Sequence, residues 1–197
     1  MTKYKAMLGA AAIFVASSLF STAALADWTL DAGNSNISYG TVKNDMIGES
    51  NTFKTISGYL NNNGQINIDI DLASIDTLIE IRDGRMRDIV FKVSENTTAK
   101  LRGDINLKDH DNQEIGTSRV IETTFSLEFV GQKIDHDVKL LVTRLAENKV
   151  MVTPHGVMFI DADDYDLLDA IEILRNLAGL DTIASVISMG FYLTFVK

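Results

Sequence analysis

The strongest period along the chain is two. Ile66, Ile68, Ile70 and Leu72 alternate with Gln65, Asn67, Asp69 and Asp71, the pattern of a strand with one buried face. Ile121, Thr123, Phe125, Leu127 and Phe129 alternate in the same way with Glu122, Thr124, Ser126 and Glu128. A third run sets Ile134, His136, Val138, Leu140 and Val142 against Asp135, Asp137, Lys139 and Leu141. A fourth sets Ile187, Met189, Phe191, Leu193 and Phe195 against Ser188, Gly190, Tyr192 and Thr194. Weaker strands are expected at residues 28–30 with 36–41, 53–60, 100–107 and 149–159. Asn61-Asn62-Asn63-Gly64, Gly131-Gln132 and Glu147-Asn148 supply hairpin turns, and residues 108–116 form a longer polar loop. Eight or so short strands joined this way predict an all-β, antiparallel barrel or sandwich in one domain.

One segment leaves that period. From residue 166 to 178, Leu167, Leu168, Ile171, Ile173, Leu174, Leu177 and Ala178 recur at helical spacing. Asp163, Asp164 and Asp166 stand where acids favour a helix start, and Gly179 stands where a helix should stop. Leu180 suits the apolar contact that accompanies a glycine cap. The prediction is a short amphipathic helix of roughly 20 Å, which either caps the barrel mouth or packs on its outer wall.

Composition changes the picture at the N-terminus. Lys3 and Lys5 precede an uncharged stretch, and Ala24-Leu25-Ala26 ends it with a small-x-small site. Residues 1–26 therefore read as a cleaved secretory signal, its apolar core being shorter than the roughly 20 residues of a membrane span. The working chain is then residues 27–197, with 16 basic against 27 acidic residues and a net charge of −11. That balance excludes a general nucleic-acid binder and opposes adhesion to an anionic bilayer. No cysteine means no disulfide framework, thiolate metal site or thiol nucleophile. The expectation is an exported, periplasmic domain without stable membrane insertion.

Candidate chemistry is thin. Asp109, Asp111 and Gln113 imitate part of a calcium loop, but Glu114 replaces the required glycine. Asp161, Asp163, Asp164 and Asp166 could hold a hard cation, although capping of the following helix explains them as well. His110, His136 and His155 lack metal-ligand spacing, and no nucleophile elbow or phosphate loop occurs. Nothing demands an enzyme, a metal or a cofactor.

Ser74-Ile75-Asp76-Thr77 with Ile81-Arg82-Asp83-Gly84-Arg85-Met86-Arg87-Asp88-Ile89-Val90-Phe91 resembles the YceI family. Trp28-Thr29-Leu30-Asp31 looks like that family's opening, and Phe125–Gly131 with Val138–Leu140 looks like one of its hairpins. The chain departs from the family at Asn96–Leu101, which stands in place of a Y-P-x-A-T-F sequence. The resemblance implies an eight-stranded, lipocalin-like antiparallel barrel that carries a polyisoprenoid or isoprenoid quinone. Phe125, Leu127, Phe129, Phe191, Leu193 and Phe195, all on apolar phases, are the expected barrel lining. Each methylene-sized group buried there would gain about 0.8 kcal/mol, unless those side chains meet and fill the interior. Arg82 and Arg85, with Arg87, form the dense basic cluster and are the candidate contacts for a phosphate or quinone head group; local pairing of Arg82 with Asp83 and of Arg87 with Asp88 is the alternative. Two rival functions remain: a small outer-membrane β-barrel, and a secreted hydrolase or isomerase using Asp69, Asp76 or Asp161. A homodimer stays open.

Overall fold

The computed structural model describes residues 28–106, 110 and 112–197. The expected signal at 1–26, the end of the 100–107 strand, and Asp109 and Asp111 lie outside the described residues. Within them the chain forms twelve strands: β1 (Trp28–Leu30), β2 (Asn36–Lys43), β3 (Ile47–Phe53), β4 (Ile56–Leu60), β5 (Gln65–Asp71), β6 (Ile75–Asp76), β7 (Thr98–Asp104), β8 (Ser118–Phe129), β9 (Gln132–Ala146), β10 (Lys149–Pro154), β11 (Met158–Asp161) and β12 (Val186–Val196). Four pairs are halves of longer runs: β1 with β2, β3 with β4, β5 with β6, and β10 with β11. Each run lies antiparallel to its neighbour in sequence, and β12 closes the ring on β1 and β2. The result is an eight-stranded, up-and-down barrel of the expected class.

The period-two pattern decides which side chains enter it. On β5, Ile66, Ile68 and Ile70 are buried while Gln65, Asn67 and Asp69 face out. The outward phase carries ion pairs between adjacent strands, Lys100 to Glu128 and Lys139 to Glu122. Gly103 sits opposite Phe125 across β7 and β8, and a Cβ there would lie 2.4 Å from the Phe125 ring. The glycine thus leaves room for that ring.

Several boundaries differ from expectation. The expected 53–60 strand is interrupted at Lys54-Thr55, and the 149–159 strand at residues 155–157, where Gly156 has φ 131°. The β8–β9 turn is Val130-Gly131 rather than Gly131-Gln132, because Gln132 already pairs with Phe129. Val130 and Gly131 have φ of 47° and 83°, the positive angles a two-residue hairpin turn requires.

Two helices bridge strands at one end of the barrel. The unexpected one, α1 (Glu80–Arg85), continues into a wider π turn, Met86–Val90, between β6 and β7. The expected one is α2 (Leu168–Ala178), between β11 and β12. It stops at Gly179, whose φ is 64°, with the Leu180 N–H bonded to the Arg175 carbonyl at 3.0 Å. Its start differs from expectation. Asp163 and Asp164 belong to a separate 3-10 turn, Asp163–Tyr165, and Leu167 precedes α2 without a side-chain cap. The acidic cluster therefore does not cap the helix. Since strands alternate in direction, both helices and the β2–β3 and β8–β9 turns share the same rim.

Candidate functional site

The inward phases do not meet in the middle. They enclose a chamber of about 320 Å³ lined by Phe125, Leu127, Phe191, Leu193 and Phe195, among others. A second chamber, about 140 Å³, lies between the barrel and the helices. Leu127 and Phe129 line it from the wall, and Leu167, Ile171 and Leu174 roof it. Phe125, Leu127, Phe129, Phe191, Leu193 and Phe195 each border one or both chambers. Ile37, Ile70, Leu127, Ile160 and Met189 border both chambers, so the two are adjoining parts of one apolar tube. The helix lies over the mouth rather than on the outer wall. Its apolar stripe is wider than the face it buries, since Leu168, Ile173 and Leu177 remain exposed.

A third chamber, about 390 Å³, forms the rim between α1, α2 and the β2–β3 hairpin. Tyr39, Thr41, Met86, Leu174 and Ile183 border both it and the chamber beneath α2. Arg82 and Arg85 both line it; Arg87 does not. Arg82 does not pair with Asp83. Its Nη1 donates to Glu49 Oε2 and its Nη2 to the Thr77 carbonyl, both at 2.6 Å. Lys43 donates to the other Glu49 oxygen at 2.7 Å. These cations, Arg82 foremost through its hydrogen bond, hold the Glu49 carboxyl below the usual range. Asp83 instead accepts from the Thr77 N–H at 2.8 Å and from the Thr77 hydroxyl, fixing the strand-to-helix turn.

The sequence reading missed Tyr39, Glu49 and Asn51. Glu49 is 33 residues from Arg82, and β3 carries no apolar alternation to mark it as a strand. It also missed a chain of rings across the rim: Tyr39–Phe53 and Phe53–Phe91 at 5.9 Å, Phe91–Phe129 at 5.7 Å and Phe129–Tyr165 at 5.5 Å. The lone aromatic in Asp163-Asp164-Tyr165-Asp166 was the available signal.

The wall has a slit. β9 pairs with β10 only as far as Leu140 opposite Pro154, and β11 pairs with β12 instead. The 320 Å³ chamber reaches the surface there, past Lys139, His155 and Phe159. At its upper end His136 Nε2 meets the Tyr165 hydroxyl at 2.8 Å, and Gln132 bonds Asp166. His136 is thus a satisfied wall histidine. Burial, with a smaller push from the Asp164 charge, raises the Tyr165 phenol to about 12.

The remaining candidates are dispersed. Asp69 pairs with Arg102, Asp76 with Lys54, and Asp161 accepts from the Asp163 N–H at 3.1 Å. Among the described residues no three His, Cys, Asp or Glu side chains converge as metal ligands. Gln113 is buried and donates to the Thr117 and Val142 carbonyls at 2.8 and 3.0 Å.

An up-and-down barrel with an apolar tube, and a match to the YceI-like domain across residues 28–195, decide the family. The chain belongs to the YceI-like family. A polyisoprenoid binding domain from Saccharophagus degradans, implicated in plant cell wall breakdown, is similar at 30% identity. That match has a TM-score of 0.86 and covers 87% of this chain and 99% of the other. BcnA of Burkholderia cenocepacia shares the fold at 15% identity and TM-score 0.65, covering 84% of this chain and 98% of its own. A Campylobacter jejuni YCEI protein does so at 15% and 0.56, covering 75% and 84%. No curated protein matches.

Proposed function

We propose that this protein is an exported carrier that threads an isoprenoid-type tail through its barrel and shields it from water, without chemistry of its own. The observation that carries the reading is the pair of adjoining apolar chambers roofed by α2. A cavity on the order of 150 Å³ lined by Leu, Ile and Phe lodges one benzene-sized group. The 320 and 140 Å³ chambers thus suit several consecutive branched units of a flexible chain. The similarity to a polyisoprenoid binding domain supports the same ligand class. The basic, apolar and small-x-small order of residues 1–26 supports export to the periplasm.

The test is native mass spectrometry of the protein purified from its own periplasm, followed by lipid extraction. An adduct whose extract contains an isoprenoid chain is expected. A Met189→Trp variant, which fills the passage between the chambers, should retain its fold and bind long isoprenoid chains at least tenfold more weakly. Protein that is empty in every preparation and binds no added isoprenoid would overturn the proposal.

A further inference from the structure

The tube changes character along its length. The inward phase of β2 runs Ile37, Tyr39, Thr41, Lys43 toward the rim, and that of β3 runs Phe53, Asn51, Glu49. Apolar side chains thus give way to polar ones on both strands. Among the described residues, three polar atoms on this rim are buried without a partner: the Tyr39 hydroxyl, Asn51 Oδ1 and Arg82 Nε. Tyr39 and Asn51 are only 8% and 4% exposed. Buried polar atoms are rarely left unpaired, because each forfeits its hydration without replacement. All three residues line the 390 Å³ chamber.

Arg82 Nη1 and Nη2 each make one bond, to Glu49 and Thr77, whereas its Nε–H makes none among the described residues. Burial raises the Tyr39 phenol well above its ordinary value, so its hydroxyl stays protonated. Arg85 lines the same chamber with no ion pair or hydrogen bond among the described residues. The charged lining is three cations, Lys43, Arg82 and Arg85, against Glu49, in a chain of net negative charge.

We propose that this rim chamber is a head-group site. Tyr39, Arg82 Nε and Arg85 donate to acceptor oxygens on the head, and Asn51 Oδ1 receives a hydroxyl from it. The inference rests on the tail-binding reading and deepens it: the ligand is an amphiphile bearing oxygen acceptors and at least one hydroxyl. A phosphate monoester and a hydroxylated ring both offer that chemistry.

The experiment compares geranylgeranyl monophosphate, a geranylgeranyl hydroquinone and the hydrocarbon squalene, each displacing a fluorescent isoprenoid. At least one headed probe should bind about tenfold or more tightly than squalene, and that ratio should collapse toward one in Tyr39→Phe and Asn51→Leu. Both substitutions replace unpaired polar atoms with apolar ones, so the ligand-free variants should melt no lower than the parent chain. A preference for the monophosphate that falls with added salt and with Arg85→Gln assigns a phosphate head. A preference for the hydroquinone that survives Arg85→Gln assigns a ring. Squalene binding as tightly as both headed probes would overturn the head-group site while leaving the tail reading intact. If no probe binds, the tail reading falls and this inference with it.

Discussion

Glu49 shows how one side chain sets the character of the rim. It pairs with Arg82 and Lys43 together, from a strand with no apolar stripe. Because both cations favour its charged form, its folded-state pKa lies below the ordinary 4.5. The linked stabilisation is therefore present above that ordinary value and lost as pH falls through the depressed one. Glu49→Gln should lower the melting temperature at neutral pH and leave a shallower loss of stability below about pH 4.5. Melting curves from pH 3 to 7 on both proteins check this. Parallel curves would show that the Glu49 pairing contributes nothing across that range. The residue was not legible in advance, because its partners meet it only when β3 closes against the α1 turn. Arg82 was legible as a basic residue in an acidic chain, but not as one that shares Glu49 with Lys43.

At the level of elements, legibility followed the number of apolar positions each element presents. β5, β8, β9 and β12 each turn an alternating apolar phase inward and stood out at once. β3 did not, since its inward positions include Glu49 and Asn51, polar because they border the rim chamber. α1 was likewise hidden. It is a six-residue helix containing Gly84 and none of its residues is buried, so contacts distant in sequence hold it. α2 was visible through its apolar recurrence, although only part of that stripe is covered. The segment that leads into α2 is held to β9 by the Tyr165 hydroxyl on His136 and by Gln132 on Asp166. Tyr165→Phe removes the first link at about 1 kcal/mol and keeps the buried ring. Amide exchange in residues 162–167 should then quicken roughly fivefold, the factor that energy implies, with little change elsewhere. Exchange that stays at its original rate would show that ring packing alone holds the segment.

For the whole molecule, the decisive quantity is which phase of the wall faces out. Alternation alone leaves open whether the apolar phase faces out or in, and the structure decides that. The apolar phases of β5, β8, β9 and β12 turn inward. Outside, Lys139 and Glu122 stand 61% and 73% exposed as a pair across β8 and β9, and Lys100 meets Glu128 across β7 and β8. A charged side chain on the lipid face of a membrane barrel costs about 2–4 kcal/mol near the midplane for Arg or Lys. Such charges on the outer face of β7, β8 and β9 therefore oppose insertion. These exposed pairs add little to stability, on the order of 0–1 kcal/mol each, because water and salt screen them. Their consequence is where the barrel can reside. The chain beginning at Asp27 should stay in the supernatant after ultracentrifugation without detergent, and raising the salt to 1 M should leave its melting temperature nearly unchanged. Recovery only in detergent would mean that the wall faces lipid and would remove the carrier reading. Whether the inward side chains met or left a tube was beyond the alternation, since it depends on barrel radius and strand tilt. With eight strands and inward groups that stop short of one another, the charged phase faces out and the apolar phase encloses the tube.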